Sequence, residues 1–539
     1  MTESVDVLIV GSGASATSAA YPLTRQGLSV LMLDVGNVDT QYSPLIPRTT
    51  FSELRRSDDQ QHRYLLGDEL EGITFGGVRT GAQLTPPRSF IQKQTEALTP
   101  LRTTSFSGIE SLALGGLAAG WGGVAVPFDS QDLADYPITY GDLAPHYEAV
   151  SARIGISGAR DDLLPFYGDC SSLQPPLDLD SGGETILSRY AKRRQRLHRK
   201  GVYLGRPRLA VLTRPLGERH EQKYRDMDYY ADANQSVFRP AFAVEELQGL
   251  PNFRYARPYL VERFTELQGG GRVQVDAKHT ETGRVETFRA RKLILAAGAL
   301  GTARIVLRSL DRYGTPVPLL TNPYTYVPCI NTAMLGKIAK DRRHSLTQLG
   351  FTFAPEGSGE ARVYGQAYSY RSLLLFKLAK ESALPVPASF RLARDLLSSF
   401  VIFGIHHEDR PSAEKHCILH PAKNQGVEVL EVNYKTDAET ERRQGRAEKI
   451  LLRSFRELGC WPVKRIHPGH GSSIHYGGTI PMIEEGGELT VTPSCRLRGT
   501  KSVYLADGSV LPYLPAKALT LTLMANAERV GTIVSKVSS

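Results

Sequence analysis

The chain opens on two apolar runs separated by a helix-like stretch. Val5–Val10 is a short apolar run with β-branched residues, which is typical of a buried parallel strand. A helical pattern follows, and a second apolar run, Ser29–Leu33, ends directly before Asp34. The pattern therefore predicts a strand–helix–strand unit at the start of the chain.

The turn between the first strand and the helix has GxGxxG/A spacing. Gly11 permits a tight turn, Gly13 lets the backbone approach a pyrophosphate, and Ala16 keeps the helix close to the strand. The helix N-terminus offers N–H groups and partial positive charge to that pyrophosphate. Asp34 is placed to accept both hydroxyls of an adenosine ribose. The candidate dinucleotide-binding residues are Gly11, Ser12, Gly13, Ala14, Ala16 and Asp34.

This motif alone does not separate NAD from FAD. It begins almost at the first residue and is present in one copy. A nicotinamide enzyme of this size with a separate flavin would usually need a second such unit, so the position favours FAD. Pro22 lies inside the predicted helix, where a kink is expected.

Two later stretches extend the predicted sheet. Leu293–Leu295 is an apolar strand followed by small residues, among them Ala297 and Gly298, and by a helix running through Arg308. Small residues there allow close packing over a cofactor. The earlier stretch 252–264 predicts a strand whose backbone near Val261 meets an adenine.

Glycines cluster around one tryptophan in the stretch 115–123. Each missing side chain removes bulk and permits unusual backbone angles, so the cluster indicates backbone lying against a flat ligand. A flexible loop is the alternative. The candidate residues are Gly116, Trp121, Gly122 and Gly123.

Near the end of the chain a strand is predicted to end at Asp507 and Gly508, and a helix to start near Leu519 and Thr520. The N-terminus of that helix would face the same pocket as His475, where its dipole can stabilise negative charge on a reduced flavin. His475 precedes a Gly-Gly-Thr turn, and this stretch alone leaves open whether it is structural or takes a proton.

Composition changes this picture little. With 539 residues, two or more lobes are expected. At 41% apolar and 22% charged residues, the chain has an ordinary soluble composition, and it shows no secretion-signal pattern. No apolar run reaches about 18 residues without a charge. We therefore expect a cytoplasmic protein without membrane association.

The middle of the chain has weaker signals. The Leu- and Phe-rich stretches 370–382 and 388–405 would suit a membrane surface or an apolar tunnel, but helices packed in a substrate domain or subunit interface are favoured. Tyr364, Tyr368 and Tyr370 indicate a half-buried strand that could line a sugar or polyol site.

The formal charge of +9 is partly concentrated in the run 189–208. Such a run is usually a solvated helix face. If it binds a ligand, an anionic substrate is favoured over nucleic acid, because no base-stacking groove or reading helix accompanies it. The five cysteines are scattered, lack CxxC spacing and predict reduced, mostly buried thiols and no metal site.

Taken in order, the stretches "GSGASA", "ALGGLAAGWGG", "LAAGALGTARI", "HYGGTIPM" and "YLADGSVLP" with "LTLTLMANA" resemble the glucose–methanol–choline (GMC) oxidoreductase family. These are FAD enzymes that oxidise alcohols. The resemblance spans nearly the whole chain except about 325–450.

The resemblance implies an α/β fold with a Rossmann-like FAD-binding domain and an interleaved α+β substrate domain, often built on a six-stranded antiparallel sheet. The predicted FAD-binding segments are 1–135, 241–312 and 488–539. The predicted substrate-domain segments are 136–240 and 313–487.

By its motifs, the resemblance implies that Gly11, Gly13, Ala16 and Asp34 bind the adenosine half of FAD. Trp121, Gly122 and Gly123 would approach the flavin, and Asp507 and Gly508 would lie at its ribityl and ring end. His475 falls on the family's catalytic histidine in the pattern H-x-x-G-T.

Two departures from the family pattern matter. Covalent members can carry a His immediately before the Trp of the glycine loop, where this chain has Gly120, so dissociable FAD is expected. Members usually have an Asn or a second His just ahead of the last helix, where this chain has Lys517 and Ala518. The partner of His475 is then Lys517, a residue from another loop, or absent.

A neutral imidazole at His475 suits removal of the hydroxyl proton while hydride passes to flavin N5. Lys517 could stabilise an alkoxide or reduced flavin, contact an acidic substrate group, or point to solvent. His467 and His470 are interpreted as structural.

The leading hypothesis is therefore FAD-dependent oxidation of an alcohol, sugar-like or natural-product in character. A lyase or isomerase that keeps FAD as structure is the alternative, and a noncatalytic flavin-binding protein is a third. The substrate, the electron acceptor and the oligomeric state stay open.

Overall fold

The computed structural model describes residues 4–69, 85–267, 269, 271–337, 344–355, 362–369, 384–422 and 426–538. The stretch 370–382, with Tyr370, lies outside them. Among the described residues, no helix is both long enough and apolar enough to cross a membrane.

The strands and helices are numbered separately in chain order. The strands are β1 Val5–Val10, β2 Val30–Leu33, β3 Leu101–Arg102, β4 Val202–Gly205, β5 Phe253–Ala256, β6 Tyr259–Glu266, β7 Val273–His279, β8 Val285–Leu295, β9 Pro316–Pro318, β10 Leu320–Thr321, β11 Tyr324–Asn331, β12 Leu349–Phe353, β13 Val363–Ser369, β14 Phe400–His407, β15 Lys415–His420, β16 Val429–Tyr434, β17 Cys460–Pro462, β18 Tyr476–Gly477 and β19 Val503–Leu505. The α-helices are α1 Ala14–Arg25, α2 Phe51–Ser57, α3 His62–Leu65, α4 Thr95–Leu98, α5 Tyr140–Ile154, α6 Leu164–Tyr167, α7 Ser181–His198, α8 Pro240–Gln248, α9 Ala299–Ser309, α10 Val386–Leu397, α11 Ala438–Glu457 and α12 Thr520–Ser538.

A mostly parallel sheet contains the first apolar runs of the chain. Its order is β5-β2-β1-β8-β7-β6, and β19 pairs with the end of β8. The strands β5, β2, β1, β8 and β19 are parallel to their neighbours, and β6, β7 and the start of β8 form antiparallel pairs. The carboxyl ends of β1, β2, β8 and β19 therefore meet at one edge, where ligands bind in such sheets.

The second large sheet has six strands and is entirely antiparallel. Its order is β17-β11-β14-β13-β12-β4. One face carries Phe351 and Phe403, which pack against Phe455 of α11. The opposite face carries the alternate residues of the same strands, and these are largely polar or aromatic. The sheet therefore has one helix-covered face and one face available to a ligand.

Most of the predicted elements are confirmed, but the stretch 388–405, for which helices are favoured, is helical only to Leu397 and continues as strand β14 from Phe400. The β1–α1–β2 unit, the strand through Val261, the strand over Leu293–Leu295, the helix through Arg308 and the helix from Thr520 are all present. The α/β class and the six-stranded antiparallel sheet are confirmed as well. Helix α1 continues past Pro22 to Arg25. The domain boundaries stay a prediction.

Helix α12 lies so close to α1 that only glycine fits at the contact. A Cβ on Gly531 would collide with the Ala19 carbonyl oxygen and lie 2.7 Å from the Pro22 ring. The last helix of the chain is thus tied to the helix that begins at the glycine turn.

We expect Gly531→Ala to lower the free energy of unfolding by about 1–3 kcal/mol, because a backbone carbonyl cannot yield to the added methyl group. The matched control is Gly445→Ala in α11, where a Cβ meets nothing within 4 Å. That change should stabilise the protein by about 0.5–1 kcal/mol through helix propensity. Urea midpoints compare the two, and equal shifts in one direction would contradict the prediction.

Candidate active site

One cavity of about 360 Å³ runs from the glycine turn after β1 to the polar face of the antiparallel sheet. It brings together segments that are hundreds of residues apart in the chain. The predicted site residues that line it are Gly11, Ser12, Gly13, Ala14, Asp34, Gly116, Trp121, Gly122, Val261, Ala297, Gly298, His475, Asp507, Gly508, Leu519 and Thr520. Ala16, Gly123 and Lys517 do not line it.

The glycine turn has the backbone that a close ligand requires. Gly11 has φ +96°, and a Cβ there would lie 2.6 Å from the Ala296 carbonyl oxygen. Gly13 is the N-cap of α1 and carries no side chain to cap the first-turn N–H groups. Those groups are therefore available to an anion at the cavity. Ala16 is fully buried, in keeping with the packing role predicted for it.

Asp34 closes this end of the cavity. Its carboxylate accepts hydrogen bonds from the Ser12 hydroxyl and, at 3.3 Å, from the Tyr255 hydroxyl. The Ser12 hydroxyl also accepts a hydrogen bond from the Gly115 N–H at 3.0 Å. This bond joins the glycine loop, residues 115–123, to the glycine turn after β1. Burial raises the pKa of Asp34 to about 7, although these hydrogen bonds act in the opposite direction.

The glycine loop places Trp121 at the cavity wall. The indole N–H donates to the Phe238 carbonyl at 2.7 Å, and its ring meets the Phe238 ring edge-on. A Cβ on Gly122 would meet nothing within 4 Å, so the backbone there borders open space. Gly123, with φ +78°, lies against Val211 and Val237 instead of the cavity.

Asp507 and the turn after His475 are joined across the cavity floor. Asp507 accepts from the Thr302 hydroxyl at 2.5 Å and from the Ser509 N–H at 2.9 Å. Thr479 donates its hydroxyl to the Ala299 carbonyl at 3.0 Å. A Cβ on Gly508 would collide with the Tyr476 carbonyl oxygen, so the two segments are in backbone contact.

His475 is held by a residue that the sequence pattern did not reveal. Strand β10 pairs with β18 in the register Thr321↔Tyr476, which brings the following Asn322 beside His475. The Nδ1 atom of His475 lies 3.0 Å from Oδ1 of Asn322. Burial lowers the pKa of His475 to about 4, so its imidazole is neutral near neutrality.

The antiparallel sheet presents hydroxyl, amide and imidazole groups to the far end of the cavity. They come from alternate positions of β11, β13 and β14 and from the loop before β12. Their burial on a ligand-facing surface could not be recognised without the strand pairing. The residues are Tyr324, Tyr326, Thr347, Gln366, Tyr368 and His406. Of the tyrosines predicted for a polyol site, Tyr368 lines the cavity and Tyr364 does not.

Lys517 does not serve this site, contrary to the prediction of a catalytic role. Its ammonium lies 3.0 Å from Asp129 and 2.5 Å from Asp132. It also donates to the carbonyls of Pro127 and Phe166. The side chain is buried, and these partners use all of its donors. The neighbouring Ala518 faces the cavity in its place.

Positive charge at the cavity is already paired. Among its described lining residues the cations are Arg304, which lies 3.0 Å from Glu110, and Arg308, which is paired with Glu428. The lining thus offers an anionic substrate no unpaired arginine or lysine in the described part of the chain.

The basic run lies on α7 and the segment after it. Arg194 pairs with Asp162, and Arg196 and Lys200 pair with Glu457. The part up to His198 is thus a helix face with acidic partners, as predicted. The part after it is not, because Arg208 is buried and donates to the carbonyls of Tyr167 and Gly168.

The remaining candidates do not line the cavity. His467 lies 3.0 Å from the Thr325 hydroxyl, and the His470 ring centroid lies 4.7 Å from that of Tyr434 with the ring planes tilted by 39°. All five cysteines are buried and unpaired, as predicted. In the described part of the chain, no group of three or more His, Cys, Asp or Glu side chains could hold a metal ion.

Known proteins resemble this chain over almost its whole length. A family model described as GMC oxidoreductase matches residues 419–527. Paromamine 6'-oxidase of Streptomyces fradiae is 24% identical, over 97% of this chain and 90% of the relative. The 6'''-hydroxyparomomycin C oxidase of Streptomyces lividus is also 24% identical, over 98% of this chain and 91% of the relative.

A solved structure shares the fold. The crystal structure of pyridoxine 4-oxidase from Mesorbium loti superimposes with a TM-score of 0.61 at 14% identity. The match covers 98% of this chain and 99% of that one.

We expect Lys517→Met to lower the free energy of unfolding by about 3 kcal/mol, because Asp129 and Asp132 would lose the ammonium that they share and keep only Arg362 as a cation. Thermal or urea unfolding measures the loss. The matched control is Lys192→Met on the exposed face of α7, which should change stability by less than about 0.5 kcal/mol. A Lys517 variant with unchanged stability but altered turnover would restore a catalytic role.

Proposed function

We propose that the chain, a member of the GMC oxidoreductase family that acts on CH–OH groups, binds FAD and oxidises a hydroxyl of a small sugar-like or natural-product molecule. His475 is the proposed general base. The observation that supports this proposal most directly is one cavity. It joins the glycine turn and Asp34 to His475 and to the polar face of the antiparallel sheet.

The residues of this cavity fit the proposed FAD. The uncapped N-terminus of α1 suits a pyrophosphate, and the Asp34 carboxylate suits ribose hydroxyls. Trp121, Gly122, Asp507 and Gly508 would border the ring system. Gly120 precedes Trp121 and offers no side chain for a covalent bond, so the proposed FAD is dissociable. When bound, FAD supplies an acceptor for the hydride that leaves the alcohol carbon.

His475 is suited to take the hydroxyl proton. The side-chain oxygen Oδ1 of Asn322 faces Nδ1 of His475. The proton of the neutral ring is therefore on Nδ1, and Nε2 keeps its lone pair. His475 is half-buried and lines the cavity, so this nitrogen is open to a substrate hydroxyl there. Loss of the proton to Nε2 and of a hydride from carbon leaves an aldehyde or ketone as product.

The far end of the cavity supports a neutral, hydroxyl-rich substrate. Its hydroxyl and amide groups include Thr347 and Tyr368, which both donate to the Gln366 carbonyl oxygen. Such groups can donate hydrogen bonds to several substrate hydroxyls, and accept hydrogen bonds from them, at the same time. The names of the two Streptomyces relatives, oxidases of paromamine and 6'''-hydroxyparomomycin C, support a natural-product hydroxyl as the group that is oxidised.

The test is anaerobic mixing of the purified yellow protein with a panel of amino sugars, polyols and simple alcohols while flavin absorbance is followed. Bleaching by a sugar-like alcohol is the expected result, and acid precipitation should release the FAD. Turnover without bleaching would indicate the lyase or isomerase alternative. Protein that is colourless and does not take up FAD on reconstitution would end the proposal.

The pH dependence should reflect a buried base. With the pKa of His475 lowered to about 4, the base stays unprotonated through the range where an ordinary imidazole gains its proton. The rate constant of flavin reduction should therefore stay level from about pH 7.5 down to about pH 5.5, and fall as the pH approaches the lowered pKa. An inflection near the ordinary imidazole pKa would contradict a buried neutral base.

We expect His475→Ala to slow flavin reduction by about 10²- to 10⁴-fold, because the proposed base is removed. Bound FAD should not be lost, because the residues proposed to hold it are unchanged. His416→Ala on β15 is the control, because His416 lies outside the cavity lining.

A further inference from the structure

A second imidazole lies beside His475 in the cavity. His406, on β14, has its ring centroid 5.1 Å from that of His475, and the ring planes differ by 21°. Both side chains line the cavity, and that of His406 is 5% exposed. The two histidines come from different parts of the fold, the antiparallel sheet and the turn that packs on Asp507 and Gly508.

The protein determines which nitrogen of His475 carries the proton. The Asn322 amide nitrogen donates to the carbonyls of His407 at 2.8 Å and Pro515 at 2.9 Å. Two carbonyl acceptors fix the orientation of this amide, so its oxygen must face Nδ1 of His475. A neutral His475 therefore has Nδ1–H and presents Nε2 as an acceptor.

The surroundings of His406 favour the opposite arrangement. Its Nδ1 is buried without a hydrogen-bond partner among the described residues. A proton on Nδ1 would be an unsatisfied buried N–H, which folded proteins rarely tolerate, whereas an unpaired lone pair there is less costly. With the proton on Nε2, the ring offers its N–H to the cavity it lines.

Within the part of the chain that the structure describes, neither ring has a carboxylate partner to charge it. Burial lowers the pKa of both, and for His406 the neighbouring His475 and His407 lower it further. Glu448 is engaged by His407, whose ring projects to the other face of β14, and by Arg465. The aromatic neighbours of His406 are Tyr324 at 4.3 Å and Tyr364 at 6.1 Å.

We propose that His406 and His475 are held in opposite tautomers and grip the substrate hydroxyl at two points. His406 Nε2–H donates to the hydroxyl oxygen, and His475 Nε2 accepts the hydroxyl proton. His406 is then a second catalytic residue, and Asn322 is a positioning residue acting through His475. Only a group that accepts and donates at one atom satisfies both rings, whereas a carbonyl product can satisfy His406 alone. The identity of the ligand as an alcohol rests on the proposed function, but the tautomers do not.

The tautomers are tested by nitrogen-15 nuclear magnetic resonance of the histidine-labelled holoprotein, with His406→Gln and His475→Gln for assignment. The expected result is an Nδ1–H signal for His475 and an Nε2–H signal for His406. Anaerobic titration with 2,2,2-trifluoroethanol should shift the Nε2 signals of both rings. The same tautomer in both rings, or a response in one ring only, overturns the proposal whether or not any alcohol is oxidised.

A kinetic test distinguishes the effect of the His406 Nε2–H donor from the effect of the size and shape of the ring. His406→Phe should slow anaerobic flavin reduction by about 100-fold, the usual effect of losing one donor to a developing oxyanion. His406→Gln, which keeps an amide donor, should retain rates within about tenfold of the unaltered protein. His416→Phe is the matched control and should leave reduction unchanged. A folded, FAD-loaded His406→Phe variant that reduces within twofold of normal overturns the proposal, and the resonance experiment decides if that variant does not fold.

Discussion

The two-residue ladder between β10 and β18 is the contact on which the site depends. Leu320 pairs with Gly477 and Thr321 with Tyr476. Strand β10 leads into the antiparallel sheet, and the turn after β18 packs on the residues that follow β19 of the parallel sheet. The ladder therefore joins the two sheets at the point where Asn322 meets His475. A cavity between two sheets needs such a junction, because each sheet alone would present its polar groups to solvent.

Strand alternation explains why the dipeptide His406-His407 can serve two purposes. Neighbouring side chains of a strand project to opposite faces. His407 reaches Glu448 of α11 at 3.2 Å, behind the sheet, and His406 reaches the cavity in front of it. The buried acid of α11 thus holds β14 in register, and the His407 carbonyl in turn holds the Asn322 amide. Structural and chemical roles are separated by one peptide unit.

Local motifs were predictable and cross-strand neighbours were not. The glycine turn with Asp34, the small residues after β8 and the start of α12 are each defined within a few positions, because turns and caps need particular residue types there. Asn322 and His406 carry no such local requirement, and their proximity to His475 follows only from the register of β10, β14 and β18. The prediction that Lys517 lies at the cavity is wrong for the same reason. Its nearness in sequence to α12 indicated the cavity, but Asp129 and Asp132 draw the ammonium to the other side.

The sheet begun by β1 is completed by β19, near the other end of the chain. During synthesis, the edge of β8 that accepts β19 must wait without its partner while more than two hundred further residues are made. Pairings so distant along the chain are intrinsically slow to form, because a large loop must close first. The sheet is therefore expected to be completed only after β19 has been made, and chaperones that shield open strand edges would raise the yield of the protein.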